Sequence, residues 1–149
     1  MTIIQTYVNE YNAEFWNGLR NRRLRLKQCN SCAYIVPPAN RRTAQPAGWL
    51  CPNCGSSDLV WSELSGRGVV ETFVWYLDYL EPFAPEFEPF KLDLPYNVAV
   101  VRLAEGPRVI TNVVQCGMDG LKVGMPVEAY YWDADGDTIL RFSPSGPAK

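Results

Sequence analysis

Apolar positions recur every fourth residue near the start of the chain, at Tyr7, Tyr11, Phe15 and Leu19, with Val8 and Trp16 beside them. Asn9, Glu10, Asn12, Glu14 and Asn17 fill the remaining positions. This period predicts an amphipathic helix of about four turns, from Thr6 as a candidate N-cap to Arg20. Its aromatic face, centred on Tyr11, Phe15 and Trp16, packs either on the body of this protein or on a partner. The first is the commoner arrangement, since surface helices usually face their own core. The period then drops to two. Leu24 and Leu26 alternate with Arg23, Arg25 and Lys27, which predicts a strand running into Cys29 with its basic face turned away from the leucines.

Beyond Ser65 the chain reads as short strands separated by turn signals, the pattern of a small sandwich or barrel. Strands are predicted at Gly68 to Tyr79, Tyr96 to Ala104, Arg108 to Val114, Pro126 to Trp132 and Thr138 to Phe142. Glu105-Gly106-Pro107 and Asp133-Ala134-Asp135-Gly136-Asp137 are the hairpin turns, and Met118 to Met125 is a turn-rich crossover. A long first strand, a hairpin and a crossover before the fourth strand are what a five-stranded OB-fold barrel requires. The outlier is the stretch from Glu81 to Pro95, where Phe83, Phe87 and Phe90 stand among prolines and glutamates. Such a sequence forms no regular element. Its phenylalanines either fold back over an open barrel end or line a docking or substrate surface.

Chemistry enters with the cysteines. Four of the five fall as Cys29-x-x-Cys32 and Cys51-x-x-Cys54, the spacing of a metal site. Each Cys-x-x-Cys turn aims two sulfurs at one ion, and four thiolates close a tetrahedral shell with no position left for water, so the site is structural. Zn2+ is expected, and iron suits the same donors. Gly55 follows the second pair and is free to take a positive φ; Ala33 stands in the matching place after the first. Cys116, at the end of the apolar run Val113-Val114-Gln115, reads as a buried inert thiol. Asp133, Asp135 and Asp137 lack the rest of a calcium loop and read as a solvated turn.

The chain of 149 residues holds one core of ordinary size, and its 47% hydrophobic and 20% charged residues are those of a folded protein. It contains no histidine, which removes imidazole bases, His-ligated metals and Ser-His or Cys-His nucleophile systems. Charge is uneven: 7 Lys+Arg against 2 Asp+Glu up to Ser56, then 7 against 14. No apolar run approaches the ~20 residues of a membrane crossing and no leader pattern opens the chain, so a soluble, cytoplasmic protein without a membrane partner is expected.

Several fragments in order carry a resemblance: Phe15-Trp16-Asn17-Gly18-Leu19, Arg23-Leu24-Arg25-Leu26-Lys27-Gln28-Cys29, the two knuckles, Ser65-Gly66-Arg67-Gly68, Pro95-Tyr96-Asn97-Val98-Ala99, Glu105-Gly106-Pro107-Arg108, Thr111-Asn112 and Val123-Gly124-Met125-Pro126-Val127. From about Glu14 to Phe142 the chain resembles the zinc-ribbon plus OB-fold family, long catalogued as a domain of unknown function, whose members accompany thiolase-like proteins. The resemblance implies a mainly β chain: an N-terminal helix and basic strand over residues 1–28, a rubredoxin-like zinc ribbon over 29–62, an OB-fold domain over 63–143 and a tail over 144–149. It also implies a non-catalytic accessory subunit of a thiolase, acyltransferase or retro-aldolase acting on acyl-CoA, and symmetry suggests two copies with two partner chains. The chain departs from the family between Ala39 and Leu50, where a long segment precedes the second knuckle.

Arg22, Arg23, Arg25, Lys27, Arg41 and Arg42 are then either a solvated basic face or an anion site for the phosphates of coenzyme A. A third reading, single-stranded nucleic acid, is disfavoured by the pI of about 5.2 and the acidic barrel half. The rivals to an accessory subunit are an independent OB-fold nucleic-acid-binding module and an autonomous acyl-CoA-binding protein.

Overall fold

The computed structural model describes residues 10, 12–38, 50–77, 95–134 and 136–146. One helix, α1 (Ala13–Arg20), precedes seven strands: β1 (Leu24–Cys29), β2 (Leu59–Leu64), β3 (Arg67–Tyr76), β4 (Tyr96–Leu103), β5 (Arg108–Thr111), β6 (Pro126–Ala134) and β7 (Asp137–Pro144). β1 and β2 form an antiparallel pair in register from Leu24↔Leu64 to Cys29↔Leu59. The other five make a sheet in the order β5-β4-β3-β6-β7.

That sheet curls until its ends meet. Val113, just past β5, forms a parallel bridge to Phe142 on β7, with Val114 N–H donating to the Phe142 carbonyl at 2.7 Å and Phe142 N–H to the Asn112 carbonyl at 3.0 Å. Antiparallel neighbours closed by one parallel contact between the third and fifth strands make the nearly closed five-stranded barrel that the strand pattern predicts. The first barrel strand, β3, serves two partners: Arg67 to Val69 pair with β6, and Gly68 to Tyr76 run along β4. A bulge at Glu71, between Val70 and Thr72, makes the bend. Gly68 is needed there because a Cβ would lie 2.6 Å from the Arg102 carbonyl oxygen.

Inward positions alternate as a strand demands. Ala99, Val101 and Leu103 on β4, Val109 on β5, Val127 on β6 and Phe142 on β7 are buried. Leu19 of α1, Leu24 and Leu26 of β1 and Leu64 of β2 join the same cluster. Helix, ribbon stem and barrel therefore share one core.

Several element boundaries differ from the sequence expectation. The helix does not run unbroken from Thr6: among the described residues it starts at Ala13, with Asn12 at its N-cap and Glu10 in a turn. The third barrel strand stops at Thr111 instead of Val114, because Asn112 to Val114 turn to meet β7. The last two strands are longer than predicted. β2, which no periodicity marked, pairs with β1.

Candidate functional site

The two Cys-x-x-Cys segments are built alike. In the first, Cys29 N–H donates to the Tyr34 carbonyl and Ala33 N–H to the Cys29 carbonyl, both at 2.8 Å. In the second, Cys51 N–H donates to the Ser56 carbonyl and Gly55 N–H to the Cys51 carbonyl, again at 2.8 Å. The turn after each pair needs a left-handed residue, and Gly55 (φ 77°) and Ala33 (φ 64°) supply it. The missing glycine after Cys32 thus changes the residue and leaves the geometry. The knuckles are tied together by Asn30 to Asp58 and by Ser31 to Ser56, at 3.0 and 2.9 Å.

The result is four free thiols whose sulfurs lie within 4.8 Å of one another. Cys29 to Cys54 and Cys32 to Cys51 are each 3.6 Å apart. Ligands ~2.3 Å from a central ion in a tetrahedron stand about 3.8 Å from each other, so this cluster can hold a metal ion. The electrostatics also call for a cation. The Asn53 amide, 3.4 Å from Cys32 Sγ, and the Tyr34 N–H bring the Cys32 thiol down to about 6. The Ser56 N–H pulls Cys54 down too, but loss of solvent and three neighbouring sulfurs outweigh it and push that thiol up to about 12. Four thiolates cannot share this space without a central positive charge. Cys29 and Cys51 are buried and Cys54 is exposed.

The basic arm lies beside this centre, and the described members of the predicted anion-binding set are engaged within the chain. Arg22 grips Asp133 with both guanidinium nitrogens, and Asp133 also accepts from Thr138 Oγ1 at 2.7 Å. These contacts hold the Asp133 carboxyl at about 2. Arg23 forks onto Glu63 at 2.7 and 2.8 Å, lowering that carboxyl in turn. Arg25 pairs with Glu14, Arg20 reaches Asp137 at 3.5 Å, and the Lys27 ammonium sits 5.3 Å from the centre of the Trp61 ring. Burial lowers the Lys27 pKa. The arm is a set of struts between α1, β1, β2 and the β6–β7 hairpin. Arg41 and Arg42 lie outside the described residues.

Of the predicted contact residues, Phe15 and Trp16 are half-buried against the core, edge-to-face with centroids 5.1 Å apart. This face of α1 packs on its own protein. Tyr11, Phe83, Phe87 and Phe90 lie outside the described residues. Cys116, expected to be a buried inert thiol, is only partly buried against the core, and desolvation raises its pKa. Asp133 and Asp137, expected to be a solvated turn, are the acidic ends of the struts to Arg22 and Arg20. The signal in the sequence was charge complementarity across about 110 residues, which local spacing does not reveal.

A solved structure described as an Ltp2-ChsH2(DUF35) aldolase contains a chain 30% identical to this one, with a TM-score of 0.72 over 94% of this chain and 98% of that one. The chain belongs to the DUF35 family. Consistent with this, residues 61–131 match the family model for the C-terminal OB-fold domain of ChsH2. A DUF35 protein of unknown function from Sulfolobus solfataricus shares the fold at 20% identity, with a TM-score of 0.58 over 93% of this chain and 85% of that one. A probable enoyl-CoA hydratase alpha subunit of Thermomonospora curvata is 34% identical over 94% of this chain. A DUF35 domain-containing scaffold protein of Methanocaldococcus jannaschii is 28% identical over 70% of it. This DUF35 chain spans 39% of the hydratase subunit and 64% of the scaffold protein.

Proposed function

We propose that this DUF35 chain is a non-catalytic accessory subunit of a thiolase-like enzyme that acts on acyl-CoA substrates. The observation that carries the proposal is the end-to-end similarity to the DUF35 chain of a solved aldolase. The chain's chemistry supports it: there is no histidine in the sequence, and the titratable groups of the basic arm hold one another instead of facing a common point. The relatives named as a hydratase subunit and a scaffold protein point to the same acyl-CoA and assembly roles.

In this proposal the four cysteines hold structural Zn2+, which fastens the ribbon to the barrel core, and a reducing cytoplasm keeps the thiols available. Two copies assemble with two partner chains. Arg22, Arg23, Arg25, Lys27, Arg41 and Arg42 meet the phosphates of coenzyme A, and Tyr11, Phe83, Phe87 and Phe90 meet the partner or the acyl group. At Arg22 and Arg23 a phosphate displaces Asp133 and Glu63 from exposed forks, a modest requirement because exposed ion pairs are weakly held in water.

An affinity pull-down of the tagged chain from its native lysate, read by mass spectrometry, tests the assignment. A thiolase-fold chain in near-equal amount is the expected result. Recovery of nucleic acid, or of no such chain, overturns it.

A further inference from the structure

The outer face of a small barrel in water is ordinarily polar, since only the inward positions of each strand meet the core. On β3, β4 and β5 this pattern fails. Three rungs cross the outside of the sheet: Thr72 beside Val100 beside Ile110, Val74 beside Val98, and Tyr76 beside Tyr96. Ile110 is 79% exposed, Val74 56% and Tyr76 46%. The Tyr76 and Tyr96 rings stack at 4.9 Å. From Val98 to Val101 β4 is consequently apolar on both faces, the composition of a strand covered on both sides, and only the buried Asn97 interrupts the inner one.

The charged end of the same face is unbalanced. Arg102 stands directly across from Arg108, a like-charge pairing that costs stability in a sheet. The bulge turns Glu71 toward Arg108, which takes the carboxylate in a fork at 2.5 and 2.9 Å. Glu71 also feels the Arg102 charge, but among the described residues no carboxylate makes an ion pair with Arg102, so one carboxylate serves two guanidinium groups. The face thus offers an aliphatic stripe that ends in an excess positive charge.

We propose that this β3–β4–β5 face is where the partner protein docks, through an apolar surface that places a carboxylate on Arg102. The identity of the partner rests on the accessory-subunit reading above; the location does not follow from it. Branched aliphatic side chains have no π face on which bases could stack, and the tyrosines are already stacked on each other, so a protein fits this surface and a nucleic-acid strand does not. The Arg102 charge selects an acidic rim over a basic one.

Two measurements test the docking face. Hydroxyl-radical footprinting of the wild-type chain alone should label Ile110 and Tyr76, and the label should vanish in the purified complex. Label missing in the lone chain at high dilution overturns the proposal, because residues 78–94 of the same chain then cover the face; label missing only at high concentration does so too, because a second copy covers it. Label that persists in the complex also overturns it. In the second measurement, Ile110→Glu and Arg102→Glu should each retain the wild-type circular dichroism and metal content while weakening partner affinity at least ten-fold, the Arg102 effect shrinking at high salt. Wild-type affinity in both variants sinks the docking face and leaves the function standing. A wild-type chain that captures no thiolase-fold protein is a failure of the function instead, and single-strand binding lost in Ile110→Glu would assign the face to nucleic acid.

Discussion

Ala33 is an alanine doing a glycine's conformational work, and exchanging the residues of the two knuckles tests the metal centre with opposite signs. At φ 64° its Cβ crowds the following carbonyl, which costs an L-residue about 1–2 kcal/mol. Ala33→Gly relieves that strain but restores freedom to the unfolded chain, an offset of about 0.4–1 kcal/mol. The net expectation is about 0.8 kcal/mol of added stability, which appears as roughly four-fold tighter metal binding because ribbon folding and metal binding are coupled. Gly55→Ala is the mirror image. At φ 77° a Cβ at Gly55 would meet nothing within 4 Å, so its cost is backbone strain alone, and about four-fold weaker binding is expected. Competition with a chelator of known affinity measures both. If Ala33→Gly weakened binding, or if Gly55→Ala left it unchanged, the matched left-handed turns would not be what shapes the centre.

Three further outcomes follow from the struts and the core. The Asp133 carboxyl is lowered from its ordinary value to about 2 by Arg22 and Thr138. The stability it contributes is therefore complete above about pH 4 and lost as the pH falls toward 2. Asp133→Asn should flatten acid unfolding across that window, and an unchanged profile would mean the strut is broken in solution. Gly18→Ala should destabilise despite alanine's better helix propensity, because its Cβ would lie 2.7 Å from the Arg23 carbonyl oxygen. A loss of about 1–3 kcal/mol lowers the melting temperature by about 2–4 °C per kcal/mol in a chain of this size, and a higher melting temperature would contradict the close approach of α1 to β1. Cys51→Ser should weaken the thiolate charge-transfer absorption of the cobalt-substituted protein, since one of four sulfur ligands is lost, and retention of the full band would place the metal elsewhere.

How much of this was legible in the sequence differs by length scale. The paired Cys-x-x-Cys segments, the Glu105-Gly106-Pro107 hairpin and the alternation of β4 are local patterns, and each predicts its element within a few residues. The barrel order followed because turn lengths restrict how five strands can connect. What escaped depended on distant pairing. β2 has weak alternation of its own and becomes a strand by adding to β1. Thr111 ends its strand early because β7 draws Asn112 to Val114 into the barrel seam. The ion pairs of the basic arm were hidden because the carboxylates lie about 40 to 110 residues away for Arg23 and Arg22. Ile110 was read as an ordinary strand residue, since periodicity assigns a side chain to a face but does not say whether that face is covered.

The most direct test of the central claim is reconstitution of acyl-CoA turnover from separately purified components. The account predicts that the captured thiolase-fold partner is inactive or severely impaired alone, that the metal-loaded wild-type chain restores it to a fixed stoichiometric end point, and that the chain by itself turns over nothing. A partner fully active without this chain, or turnover by the chain alone, would contradict it.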